Sequence, residues 1–207
     1  MEAQGIDVVE VLRMSLILVH VMAVVVAGVG IAFGDYAILV VRRMNISLLF
    51  EASRIISVAL SLLWMTGLSV IWIDTQFEWE VLANSPKMLA KLAVVSILTL
   101  NGVALHLVVF KRLQTPDSDT RRTALFLTLL GAISGVTWLY AVFVGLAKPV
   151  APLLGLSGFL GFYFVALLIS IAVALVLIEP KVAGRLIERL TCTEGPQGER
   201  AYQQVSA

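Results

Sequence analysis

Five long apolar runs, each bounded by charge or proline, organise this chain. They are Val11–Val41, Ile55–Ile73, Met88–Phe110, Thr123–Leu146 and Leu153–Ile178. A hydrocarbon layer about 30 Å thick calls for roughly 20 apolar residues per helix, and every run is of that order. None alternates apolar and polar positions as a barrel strand does, so helices are the spanning element. Arg42-Arg43 ends the first run and Asp74 the second. Pro86-Lys87 opens the third and Lys111-Arg112 closes it. Pro116, Asp117 and Asp119 mark a turn, and Arg121-Arg122 opens the fourth run. Lys148-Pro149 ends that run, and Glu179-Pro180 is expected to stop the fifth. The pattern predicts an all-α integral membrane bundle of five transmembrane helices, with the first four as its core.

Between the second and third runs, the loop from Asp74 to Pro86 carries Phe77 and Trp79, with Trp72 just before it. That composition reads as an interfacial aromatic belt with a short surface helix. After Pro180, the segment Lys181–Leu190 has amphipathic spacing, with Arg185 and Arg189 on one face. It is expected to lie on the inner leaflet. Thr191–Ala207 is polar, contains Gly and Pro, and reads as disordered. Residues 1–180 thus form the transmembrane domain, and 181–207 a short cytoplasmic segment and tail. The acidic start (Glu2, Asp7, Glu10) and the length of the first run argue for a retained helix over a cleaved leader.

Composition strengthens this picture. Hydrophobic residues make up 59% of the chain and charged residues 14%, against about 25% charged in a soluble domain. Mean hydropathy is +0.97. The net charge of +1 offers no basic patch for nucleic acid. The single cysteine, Cys192, cannot form a disulfide within the chain. Lys and Arg divide unevenly: eleven flank one side of the bundle, four the other. By the positive-inside rule the N-terminus is outside and the C-terminus cytoplasmic, as in a multi-pass protein of the bacterial inner membrane. The lipid bilayer is the first partner, and a homo-oligomer or a membrane partner protein is compatible with the pattern.

Candidate chemistry is concentrated in a few polar groups. The chain has two histidines, His20 and His106, both inside apolar runs, where ionisable groups are costly and by default mark function. In the first helix His20, Ala23, Ala27, Gly30 and Gly34 share a seam of small residues. In the third, Leu92, Val95, Thr99, Gly102 and His106 repeat the spacing. In the fourth, Thr128, Gly131, Gly135, Trp138 and Val142 do so, with Gly131 and Gly135 as a GxxxG pair. Both histidines therefore face protein. Counting along helices that run in the same direction puts them on the order of 15–20 Å apart in depth. That is too far to clamp one haem iron between them.

Two polar layers follow: His20 with Lys91 on the outer side, and Asp35 with His106 on the inner side, near Glu51 and Arg54. The outer layer reads as a haem or metal site. His20 is the ligand, and Lys91 either a second ligand or the partner of a propionate. The inner pair reads as a proton or charge relay, or as an interfacial hydrogen-bonded pair. Met14 and Met22 flank His20 but do not share its face, so they make a poor copper path.

Three segments also resemble a known family. They are LILVHVMAVVVAGVGIAFGDY in the first helix, EASRIISVALSLLWMTGL entering the second, and SPKMLAKLAVVSILTLNGVALH in the third. With the basic loop that follows, they resemble the HemJ-type protoporphyrinogen oxidases and, more distantly, the CopD-like copper-resistance membrane proteins, over about Leu12–Leu113. That resemblance implies b-type haem held near His20 and Lys91. The family's first-helix Trp is absent and a fifth helix is added, so the resemblance extends to haem and not to the oxidase activity. The leading expectation is a haem-b-binding membrane protein in redox or porphyrin-related chemistry, a haem-dependent oxidoreductase if an enzyme. The alternatives are a transporter or channel for a metal ion or small solute, using the same polar groups as a path, and a non-catalytic anchor or assembly subunit.

Overall fold

The computed structural model describes residues 7–40, 45–114, 119–147 and 149–194. Five helical stretches in it are long and apolar enough to cross a membrane: Val8–Val40, Ile46–Thr75, Pro86–Gln114, Thr120–Leu146 and Leu153–Glu188. Among the described residues there is no strand. The protein is an all-α, multi-pass membrane protein.

The elements are α1 (Val8–Asp35), α2 (Ile46–Thr75), the short α3 (Trp79–Ala83), α4 (Pro86–Ala104), α5 (Lys111–Gln114), α6 (Thr120–Leu146), α7 (Ala151–Val173) and α8 (Glu179–Glu194). Their starts follow local chemistry. Asp7, Asn45 and Asp119 each cap a helix by accepting from a backbone N–H two or three residues on. Pro86 sits at the first helical position of α4, where its missing N–H costs nothing. The Asn45 cap starts α2 nine residues earlier than the apolar run suggests. Leu49 is buried there and Ile46, Leu48 and Phe50 pack beside it, so the acidic and basic residues Glu51 and Arg54 ride on the exposed side of a helix. The surface helix expected in the aromatic loop is α3, with Trp79 74% exposed. Arg42-Arg43, Pro116, Asp117, Lys148 and the tail from residue 195 lie outside the described residues.

Successive spans alternate in direction, so α1, α4 and α7 start at one membrane face, here called the N-terminal face. α1 packs along α2 through the expected seam: Ala23, Ala27, Gly30 and Gly34 are all buried. A Cβ at Gly30 would lie 2.8 Å from Ile56 and 3.3 Å from the Ala52 carbonyl oxygen, so glycine lets the helices approach without displacing either. At the N-terminal face the Arg13 guanidinium pairs with Asp74 at 2.8 Å and closes the hairpin.

The other unit is α4, α6 and α7, so the fifth span belongs to the packed bundle. Polar stitches hold it. Asn101 Nδ2 donates to the Leu130 carbonyl at 3.0 Å, Tyr140 OH to the Phe159 carbonyl, and Thr137 and Tyr163 share a hydrogen bond. The two units meet at Ala23, Ala27, Ala59, Leu63, Leu98 and Trp138. The fourth-helix seam differs from expectation. Gly131 and Val142 are exposed, and a Cβ at Gly131 or Gly135 would touch nothing. α6 has neighbours on several sides (α4, α7 and α8), so its buried positions spread around the helix and do not form one stripe.

A further departure concerns the C-terminal segment. Glu179-Pro180 does not stop the helix; a π-helical segment, Ala174–Ile178, leads directly into α8. Proline crowds and leaves undonated the carbonyl four residues back, and the wider π turn relieves both. α8 turns Val182 and Leu186 onto a core made with Ala37, Leu49, Val109 and Leu127, while Ile187 stays exposed. π segments also end the first span (Tyr36–Val40) and interrupt the third (Leu105–Phe110). All three lie toward the face opposite the N-terminal one. Arg185 Nη1 donates to the Ile38 carbonyl in the first of them, at 2.8 Å. Arg185→Ala is expected to cost about 1.5–3 kcal/mol, the worth of a hydrogen bond to a charged group. It should also raise proteolytic cleavage within α8 in a limited-digestion time course.

Candidate functional site

His20 sits one turn before the buried Ala23 on the α1 seam, and it is half-buried against α2. Its Nδ1 lies 2.8 Å from Thr66 Oγ1. Beneath the ring is Gly67, where a Cβ would come within 3.4 Å of His20 Cε1. The hydroxyl decides the state of the imidazole. Thr66 is buried and its Oγ1 donates to the Leu62 carbonyl at 2.7 Å. A hydroxyl has one proton, so toward His20 it can only accept. Nδ1 therefore carries the ring proton, and Nε2 presents a lone pair. Among the described residues Nε2 has no hydrogen-bond partner. An imidazole whose second nitrogen is oriented by such a partner is in the form that binds metals.

Lys91 is exposed and within electrostatic range of His20, Lys87 and Asp74. Two hydrogen bonds relate α2 to the third span: Trp64 Nε1 donates to Thr99 Oγ1 at 2.9 Å, and His106 Nε2 meets Ser53 Oγ at 3.0 Å. Counted from one or the other, the Lys91 backbone lies about 3–9 Å nearer the N-terminal face than Thr66.

His106 sits in the π segment of the third span. Its Nε2 is 3.0 Å from Ser53 Oγ and 3.4 Å from Ser57 Oγ, and its ring meets Phe110 edge-on at 5.0 Å. Ser53 and Thr66 are thirteen residues apart on α2, which is about 20 Å along the axis and roughly 140° around it. The two histidines are therefore separated in depth and also by the body of α2. Asp35 is exposed near the end of α1. Among the described residues no hydrogen bond or ion pair joins it to His106, although both lie in the half away from the N-terminal face. Among the described residues no three of His, Cys, Asp and Glu stand close enough to share a metal ion.

The residues that orient both histidines are α2 hydroxyls, and the sequence reading does not single them out. The signal is nonetheless visible: Ser53, Ser57 and Ser61 recur every four residues on one side of an apolar helix, and Thr66 lies toward the other. None of the family models, curated proteins or solved structures compared with this chain matches it.

Proposed function

We propose that this multi-pass membrane protein binds b-type haem through His20, in the half of the bundle nearer the N-terminal face, for redox or porphyrin-related chemistry. The observation that carries the reading is the Nε2 lone pair of His20, held in one tautomer by Thr66 and without a protein partner among the described residues. That is the donor an iron–imidazole bond needs, with the hydroxyl as its orienting partner. Haem would supply one-electron chemistry; the chain supplies the ligand, its orientation and the apolar surround. Lys91, exposed and within electrostatic range of His20, suits either a second ligand or the partner of a propionate. The resemblance of the first and third helices to HemJ-type proteins falls on the same two residues, His20 and Lys91.

The test is an absorption spectrum of protein purified from haem-replete cells, with haem and metals quantified on the same sample. A Soret band at near-stoichiometric haem is the expected result. A colourless, folded preparation that stays colourless on haem titration overturns the reading.

A further inference from the structure

The α1–α2 hairpin and the α4–α6–α7 unit meet through small side chains, Ala23, Ala27 and Ala59, with Leu63, Leu98 and Trp138. Farther from the N-terminal face, more contacts cross from one unit to the other. His106 of the third span meets Ser53 of α2 at 3.0 Å, and Phe110 packs on Phe50 with ring centroids 4.7 Å apart. The third crossing is α8. By connection it belongs to the α4–α6–α7 unit, because it continues the fifth span and packs along α6. Yet Arg185 donates to the Ile38 carbonyl of the first span at 2.8 Å. Val182 and Leu186 are buried with Ala37 and Leu49 of the hairpin as well as with Val109 and Leu127 of the other unit. One short helix thus bridges the junction.

The core under α8 is also where the spans are irregular. The π segments Tyr36–Val40 and Leu105–Phe110 contribute Ala37, Val109 and Phe110 to it, and Ile178 of Ala174–Ile178 packs beside it. A π turn is rare, concentrates at functional places, and returns to α by a one-residue slip. Three of them around one core make this layer the part of the bundle best able to change shape. The seat of α8 has a rival too. Val182 and Leu186 are the buried stripe of an amphipathic helix whose Lys181, Gly184 and Glu188 are exposed. Such a stripe can lie in the headgroup boundary of a leaflet as well as on protein. Only the seat on protein joins the two units.

We propose that α8 is a strap with two positions. Docked, it holds the units closed at this face and keeps His106 against Ser53. Released onto the leaflet, it lets the units part here, with the small-residue junction as the hinge. His106 then leaves the α2 hydroxyls. The strap acts through α8 and the unit junction alone, so it holds with or without haem at His20.

The experiment uses the full chain in phosphatidylcholine nanodiscs, with Cys192→Ala to clear the native thiol. Nitroxide labels on introduced cysteines at two pairs of exposed positions are read by pulsed electron resonance. Glu51 with Leu125 spans the two units at the face of α8, and Trp72 with Leu146 spans them near the N-terminal face. Val182→Asp puts a charge into the core, and Arg185→Ala removes the hydrogen bond to Ile38. In both variants the first distance is expected to lengthen, or to gain a longer component, while the second stays as in the wild type. Digestion within α8 should quicken about tenfold for Arg185→Ala, the gain in open population from losing one hydrogen bond to a charged group. If Val182→Asp loses helical content by circular dichroism, Arg185→Ala alone gives the reading, because it places no charge in the core. The proposal is overturned if digestion quickens while the Glu51–Leu125 distance stays as in the wild type, since α8 is then an appendage and not a strap. It is equally overturned if both distances lengthen together, which is general loosening, or if neither digestion nor distance responds.

Discussion

His20→Ala is expected to abolish the Soret absorbance of the purified protein while leaving its helical content intact. The side chain is half-buried and makes one hydrogen bond to protein, through Nδ1. Its removal leaves Thr66 still bonded to the Leu62 carbonyl, so no buried donor is orphaned and the fold has little to lose. The ligand role predicts a graded series around the same ring. Thr66→Val deletes the hydroxyl that selects the tautomer and is expected to weaken haem binding by about 10–100-fold, the usual effect of losing a metal ligand's orienting partner. Thr66→Ser keeps the hydroxyl and should restore most of it. Haem titration monitored in the Soret region reads all three. If His20→Ala binds haem like wild type, the ligand is elsewhere and the assignment fails.

Gly30→Leu is expected to be the most damaging packing change in the first hairpin. Even a methyl at this position would stand 2.8 Å from Ile56 and 3.3 Å from the Ala52 carbonyl oxygen. Ile56 has rotamers to use, but the carbonyl belongs to a helix and does not yield. A leucine adds three further carbons and must prise α1 from α2. Overpacking of a close interface typically costs about 1–3 kcal/mol, and the rigid carbonyl puts this case toward the upper end. Gly28→Leu, two residues away in open space, should be close to neutral. Thermal or SDS denaturation in micelles, followed by circular dichroism, separates the pair. Equal midpoints for the two variants would show that α1 is not seated on α2 through Gly30.

The fold was legible for a simple reason. Lipid requires each span to satisfy its own backbone, so run length and punctuation suffice to count helices. The ends were less legible. The Asn45 cap extended α2 past a charged stretch that reads as loop, and a π turn carried the fifth helix through Pro180. Periodicity found the buried face of α1. It missed that of α4, where Ala90, Val94, Leu98 and Asn101 are buried beside the expected stripe, and that of α6, whose neighbours lie on several sides.

By itself, the sequence determined that this is a five-span helical membrane protein, that both histidines lie within spans, and that they are too far apart in depth to share one iron. These follow from hydropathy and from the fixed rise of a helix, which need no knowledge of neighbours. Only the tertiary structure decided which hydroxyl each histidine meets and that α2 stands between them. A histidine's tautomer depends on where its partner's proton goes. That was set by the Thr66–Leu62 hydrogen bond on a neighbouring helix, 46 residues from His20 in the chain, and no spacing within α1 could reveal it.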